Sequence, residues 1–127
     1  MMKTLIFVAA GGALGASLRW LWGVWVYRAT GGATDFPVAI IGANIIGSFL
    51  MGTFVVLAAQ RGLTHLSPFV MTGLLGGFTT FSAFSLETVT LIERGEVGQA
   101  GLYVMASVIL SVAGLMAGLW VMRGILL

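Results

Sequence analysis

The sequence predicts an all-α integral membrane protein with four transmembrane helices in a single domain. Its 127 residues are 59% hydrophobic and 8% charged, and its mean hydropathy is +1.09. That is more apolar surface than a water-soluble core of this size can bury. The apolar residues fall in four runs, each as long as the ~20 residues that cross a bilayer. Short connecting segments leave no room for a soluble domain.

The four predicted helices cover residues 4–27, 38–60, 68–94 and 97–122. The first follows Lys3 as a signal peptide would, but its apolar run is too long and no A-x-A site closes it. We therefore expect it to remain in the mature protein. The third is predicted to have Ser67 as N-cap and Pro68 as its first residue, and to end at Arg94 before Gly95.

Several helices carry small residues four apart, which is the spacing of close helix packing in membranes. These pairs are Gly11 and Gly15, Gly12 and Ala16, Ser48 and Gly52, and Gly114 and Gly118.

The composition also excludes several classes of function. The absence of cysteine excludes disulfides and thiolate chemistry, and the single histidine, His65, has no acidic residue at metal-ligand spacing. No histidine or lysine lies inside a predicted span to serve as a base, so we expect no enzymatic activity. The net charge of +2 includes no basic run that would follow nucleic acid.

The basic residues give only a weak indication of orientation. Lysine and arginine normally collect in short cytoplasmic loops, yet here one side would hold three and the other two. The three are Lys3, Arg61 and Arg123, and the two are Arg28 and Arg94. This weak bias favours insertion in both orientations and pairing of opposite copies as an antiparallel, dual-topology homodimer. One fixed topology set by weak signals is the alternative.

We expect the third helix to be broken near Gly76–Thr80, the run GGFTT. Two glycines and two β-branched residues combine low helix propensities. A break frees backbone carbonyls and amides, which a bilayer tolerates only against protein or a water-filled cavity. Freed carbonyls suit a hard cation, and freed amides suit an anion. The alternative is a continuous helix whose threonine hydroxyls bond to the preceding turn.

Aromatic and polar residues near this run are candidates for the lining of an ion pathway. Phe81 and Phe84 are three apart and share one helical face, where two positive ring edges would hold a small anion weakly enough to release it. Core packing is the alternative for this pair. Neutral donors would replace part of the water shell of an anion, with hydrogen bonding between helices as their alternative role. These donors are Asn44, Ser48, Thr80, Ser82, Tyr103, Ser107 and Ser111.

Two charged residues lie well inside the predicted spans, away from their ends. Glu87 accepts hydrogen bonds only when ionised, so we expect it to orient a hydroxyl network or to form part of a vestibule wall. Arg19 either extends to the interface beside Trp20 or lines an aqueous vestibule, where it would raise the local concentration of anions.

Three segments of the chain resemble the Fluc, or CrcB, fluoride channel family. They are GGALGASLRW (11–20), ANIIGSFLMG (43–52) and GLLGGFTTFSAFSLE (73–87), and the resemblance covers the whole chain in order and length. It implies an antiparallel, dual-topology homodimer with two fluoride pores and a central structural sodium ion. It also implies passive export of fluoride across the bacterial inner membrane.

The resemblance also implies roles for individual residues. Phe81, Phe84 and Asn44 match pore-lining positions of the family. Tyr103, Ser107 and Ser111 resemble its polar track, and Arg19 resembles its vestibule arginine. The sodium ligands would be the main-chain carbonyls of Gly76 and Thr79, two from each subunit.

The sequence thus predicts a fluoride-selective channel. The main alternative is a small multidrug-type exporter that couples protons to a cationic drug, which requires a membrane-buried acid. The only carboxylate well inside a predicted span is Glu87, and the first helix carries Arg19 and no acid. A structural membrane subunit without transport is a third interpretation.

Overall fold

The computed structural model describes residues 1–34 and 36–127, and these residues are mostly helical. Four helical spans are long and apolar enough to cross a membrane, which confirms the predicted all-α architecture. They are α1 (Met2–Ala29), α2 (Val38–Arg61), a third span (Thr64–Glu93) and α5 (Val97–Leu126).

The third span consists of several helical pieces. They are a 3₁₀ turn (Thr64–Leu66), a π-helix (Pro68–Leu75), α3 (Gly76–Phe78) and α4 (Ser82–Glu93). Pro68 begins the π-helix, but helical structure starts four residues before it, at Thr64. Ser67, the predicted N-cap, has helical backbone angles and makes no capping hydrogen bond with its side chain. At the other end α4 ends at Glu93, one residue before the predicted Arg94, which is its C-cap. Gly95 follows with a left-handed φ of 81°, as is usual just after a helix.

Glycines bring α1 against the first half of the third span. A Cβ atom at Gly11 would overlap the carbonyl of Phe69, and one at Gly15 would overlap the carbonyl of Leu74. Both glycines are buried. Since contacts advance in the same direction along both segments, α1 and this half of the third span run parallel with their backbones nearly touching.

A second glycine interface joins α2 to α5. A Cβ atom at Gly52 would overlap the carbonyl of Leu115, and one at Gly118 would overlap that of Phe49. These contacts also advance together, so α2 and α5 are parallel. The two glycine interfaces use the predicted small-residue spacing, and they arrange the chain as two tightly packed pairs of spans.

The break in the third span lies at Thr79–Phe81, between α3 and α4. Thr79 has extended backbone angles, φ −88° and ψ 159°. Gly76 and Gly77 were expected to form part of the break, but both belong to α3. Gly77 serves packing instead, because a Cβ atom there would lie 2.8 Å from the carbonyl oxygen of Gly12 in α1.

A small buried cluster attaches the second half of the third span to α2 and α5. It consists of Ile41, Leu91, Ala100 and Tyr103. Phe84 and Phe36 pack against it, so the position of α4 depends on side chains from both neighbouring spans. Most other large apolar side chains, including Leu21 at 55% and Leu102 at 61% exposure, face outward, as expected where lipid is the solvent.

Candidate functional site

Residues at the break line a cavity of about 500 Å³. The cavity lies between α2, the break, the start of α4 and the middle of α5. Seven of the predicted pore residues line it: Asn44, Ser48, Thr80, Phe81, Phe84, Ser107 and Ser111. Gly76 and Thr79, the residues whose carbonyls were suggested as sodium ligands, belong to the same wall. Three segments that are distant in sequence therefore meet at one site.

The two phenylalanines adjoin each other at this site. The ring centroids of Phe81 and Phe84 are 5.4 Å apart, with planes inclined by 49°. Phe84 also packs on Tyr103 at 5.2 Å, whereas Phe81 remains 78% exposed in the single chain. Phe84 is thus anchored within the chain, and Phe81 projects from its surface.

Asn44 holds the backbone of the break. Its Nδ2 donates to the carbonyl oxygen of Thr80 at 3.0 Å, and the Thr80 N–H donates to its Oδ1 at 2.8 Å. A backbone N–H requires an acceptor and a carbonyl requires a donor, so one amide side chain satisfies both groups of the same residue. The second N–H of the amide remains for another acceptor.

The break releases carbonyls from the helical hydrogen-bond ladder, among them those of Gly76 and Thr79. In a continuous helix the Thr80 N–H would bond the Gly76 carbonyl, but it donates to Asn44 instead. Likewise the Ala83 N–H, which would bond the Thr79 carbonyl, donates to the Thr80 Oγ1 at 3.1 Å. The residues suggested as sodium ligands are therefore among those whose carbonyls lose their helical partners.

Two hydroxyls on α5 are buried without a hydrogen-bond partner among the described residues. Tyr103 is fully buried and Ser107 is 5% exposed, and neither the phenol oxygen nor the Ser107 Oγ has a partner there. Buried hydroxyls normally have one. Ser107 lines the cavity, so its hydroxyl is available to an ion or to water there, whereas the Tyr103 hydroxyl is enclosed by protein.

Several predicted residues lie outside the cavity wall. Tyr103 lies behind Phe84, and Glu87 is half-buried within α4. Ser82 is exposed, with its Oγ 3.3 Å from the Thr80 Oγ1. The Nε of Arg19 donates to the carbonyl of Gly77 at 3.2 Å. Arg19 thus bonds to the third span just before the break.

The structure adds two features that the sequence did not indicate. Gly47, in α2, is buried against Thr79, so that a Cβ atom there would overlap the Thr79 Cγ2. The bond from Arg19 to Gly77 is the second. Both features link residues that are far apart in sequence. Apart from the presence of a glycine three residues after Asn44, nothing in the sequence indicated either contact.

The fold and this cavity define a small four-span membrane protein with an uncharged polar and aromatic site at a helix break. The family model described as CrcB-like protein, Camphor Resistance (CrcB), matches residues 6–119. The chain belongs to the CrcB family.

Relatives of the chain carry a common name. The chain is 76% identical over 126 residues to the fluoride-specific ion channel FluC of Roseobacter denitrificans, and the match covers 99% of this chain and all of the relative. It is 72% identical over 102 residues to the protein of that name from a Jannaschia species, covering 80% of this chain and 95% of the relative. With the Cereibacter sphaeroides protein of that name it shares 56% identity over 124 residues, 98% of each chain.

Proposed function

We propose that the chain is a passive, fluoride-selective channel. The observation that carries this proposal is the cavity at the break, whose Phe81, Phe84 and Asn44 lie together in a chain closely related to proteins named fluoride-specific ion channels. Fluoride is small and strongly hydrated, so a pathway must supply substitute donors without binding the ion too tightly. Ring edges, an amide and hydroxyls supply such donors and add no fixed charge.

Within this proposal the residues divide into two groups. Phe81, Phe84, Asn44 and Ser48 form the side of the pathway contributed by α2 and α4. Ser107, Ser111 and the phenol of Tyr103 form the side contributed by α5. The unpartnered hydroxyls of Tyr103 and Ser107 support this arrangement, because they are donors at membrane depth with hydrogen bonds still to make. Thr80 and Ser82 place further hydroxyls at the start of α4.

Two charged residues act at a distance in this proposal. Arg19 attracts anions toward the vestibule, because its bond to the Gly77 carbonyl leaves its positive charge in place. Glu87 orients neighbouring hydroxyl groups without contacting the anion, since a carboxylate cannot donate to it.

The proposed assembly is an antiparallel homodimer with two pores. The exposed ring of Phe81 and the open side of the cavity are consistent with a second copy completing the site. The two ends of the four-span bundle, on opposite sides of the membrane, also differ in charge. One end carries Lys3, Arg61 and Arg123, and the other carries Arg28 and Arg94 together with Glu93 and Glu96. Antiparallel copies would place the purely basic end of each beside the acid-bearing end of its partner.

A structural sodium ion at the dimer centre fits the donor set at the break. The carbonyls of Gly76 and Thr79 are neutral oxygen donors released from the helical ladder, and oxygen is the donor that hard cations prefer. Among the described residues, no cluster of three acidic, histidine or cysteine side chains offers a metal site. Two carbonyls per chain are few for one cation, so a second copy would complete the set.

Fluoride efflux from liposomes tests the proposed function directly. Purified protein is reconstituted into vesicles loaded with potassium fluoride, and a fluoride electrode follows release after valinomycin is added. Fluoride should leave without a proton gradient, while chloride-loaded vesicles should release little chloride. Fluoride retention, or cation exchange that depends on a proton gradient, would contradict the proposal.

The orientation is tested by cysteine labelling, which the cysteine-free sequence makes simple. Gln60→Cys and Gln99→Cys place single thiols at exposed positions on opposite sides of the membrane, at the end of α2 and the start of α5. In sealed inner-membrane vesicles of a bacterial host, an impermeant maleimide should label about half of each variant if both orientations are equally populated. Complete labelling of one variant and none of the other would demonstrate a single orientation.

A further inference from the structure

We infer that Gly47 is a positioning residue, which fixes the conformation of the break by accommodating the methyl group of Thr79. Gly47 is buried in α2, one helical turn after Asn44. A Cβ atom at Gly47 would overlap the Cγ2 of Thr79. The next neighbours of such an atom are the Phe78 Cδ2 at 3.5 Å and the Thr79 Cβ at 3.7 Å, which are ordinary contact distances. The methyl group therefore occupies the space that a side chain at position 47 would need.

Thr79 is held by two hydrogen bonds and one packing contact. Its N–H donates to the Leu75 carbonyl at 3.0 Å, and its Oγ1 donates to the same oxygen at 2.9 Å. These bonds fix the hydroxyl toward α3, so the methyl group points to α2 and fits against Gly47. With the side chain fixed and the backbone extended at ψ 159°, the Thr79 carbonyl turns away from the helix axis.

Asn44 and Gly47 act on successive residues of the break. Asn44 binds both backbone polar groups of Thr80, and Gly47 receives the methyl group of Thr79. Because residues three apart lie on one helical face, this face of α2 serves as a template for the break. It sets the direction of the Thr79 carbonyl and the point at which α4 begins, and hence the positions of Phe81 and Phe84.

This role differs from that of a pore-lining donor. Gly47 has no side chain to offer an ion, and its effect is transmitted through Thr79 and Thr80. A larger residue at position 47 would displace the break while leaving every lining side chain present. Fluoride efflux as a test of this role rests on the proposed function, so hydrogen exchange, which does not depend on transport, is measured as well.

Three variants test the inference: Gly47→Ala, Thr79→Ser, and the double variant. Gly47→Ala introduces the clash, and fluoride efflux should fall about tenfold or more, as expected for overpacking at a buried contact. Thr79→Ser removes the methyl group and keeps the hydroxyl that bonds to Leu75, so its efflux is the reference against which the double variant is compared. The double variant removes the atom that the new Cβ would strike and should recover most of the lost efflux. Gly23→Ala is the matched control, because a Cβ atom there meets nothing within 4 Å.

Hydrogen exchange provides the readout that is independent of transport. The Thr80 N–H donates to Asn44, so its exchange with deuterated water should accelerate in Gly47→Ala and return toward the parent rate in the double variant. A merely structural defect would not be repaired by removing one methyl group from Thr79. If the parent protein does not transport fluoride, the proposed function fails, while the exchange rates still decide the role of Gly47.

Two results would overturn the inference. One is parent-like efflux and exchange in Gly47→Ala. The other is a double variant no better than Gly47→Ala, which would place the clash elsewhere. If Gly47→Ala does not fold, the double variant decides: a folded, protected break supports the inference, and an unfolded protein contradicts it.

Discussion

Replacing either phenylalanine of the cavity should reduce fluoride efflux far more than it reduces stability. In the single chain Phe81 is 78% exposed, so Phe81→Ile loses little beyond its pairing with Phe84. An aromatic pair contributes about 0.5–1.5 kcal/mol. Phe84 pairs with both Phe81 and Tyr103, so Phe84→Ile should cost about twice that figure in the free energy of unfolding.

The expected effect on transport is larger because isoleucine has no positive ring edge to offer an anion. Loss of about 1.4 kcal/mol of stabilisation for the ion in the pathway corresponds to a tenfold fall in occupancy. Each variant should therefore lower efflux at least about tenfold, and the double variant should abolish it. The assay is fluoride-electrode recording from liposomes, with thermal unfolding in detergent as the measure of stability.

Phe7→Ile is the matched control for this prediction. Phe7 lies in α1 and is 46% exposed, and it does not line the cavity at the break. Efflux should be unchanged in this variant. If Phe81→Ile and Phe84→Ile transport fluoride at the parent rate while remaining folded, the ring pair serves packing alone, and the proposed pathway is wrong.

Three further predictions follow from the helix contacts and the proposed cation. In α5, Gly118→Ala should destabilise the fold by about 1–3 kcal/mol through overpacking. Gly114→Ala should cost less, because its Cβ would lie 3.3 Å from its nearest neighbour, and Gly101→Ala, in open space, should be neutral or stabilising. Equal melting temperatures for all three variants would contradict the glycine interface. Arg19→Met should lose the charged hydrogen bond to Gly77, worth about 1.5–3 kcal/mol, and a parent-like melting temperature would show that this bond contributes little. Replacing sodium with N-methyl-D-glucamine throughout purification and assay should lower the fraction of dimer in size-exclusion chromatography, and an unchanged dimer would argue against a structural sodium ion.

The sequence predicted the spans well because each is a long apolar run, and the bilayer thickness sets how long such a run must be. It was less accurate at the break. Gly76 and Gly77 have low helix propensity, yet both are helical because α1 packs against Gly77 closely enough to exclude a side chain. Tertiary packing outweighed local preference there, and the break formed just after the glycines, at Thr79–Phe81.

Contacts between spans could not be predicted in the same way. The bond between Asn44 and Thr80 joins residues 36 positions apart, and it exists only because α2 and the third span have one particular relative register. Nothing in the local sequence of either segment specifies that register. The gathering of Phe81 and Phe84 with Ser107 and Ser111 likewise depends on how α4 and α5 pack, although each residue type was identifiable beforehand by its cost at membrane depth.

The π-helix over Pro68–Leu75 has a consequence for sequence length in this part of the chain. A π-helix has more residues per turn than an α-helix, so removing one residue while the π-helix is retained would rotate everything after it by roughly a quarter of a turn relative to α1. Phe81 and Phe84 would then point toward a different neighbour, even with all the side chains retained. Apart from Gly73 and Gly77, where a Cβ atom would meet α1, the number of residues between Pro68 and the break is therefore constrained more tightly than their identity. Single-residue deletions there should be far more harmful than apolar substitutions at the other positions.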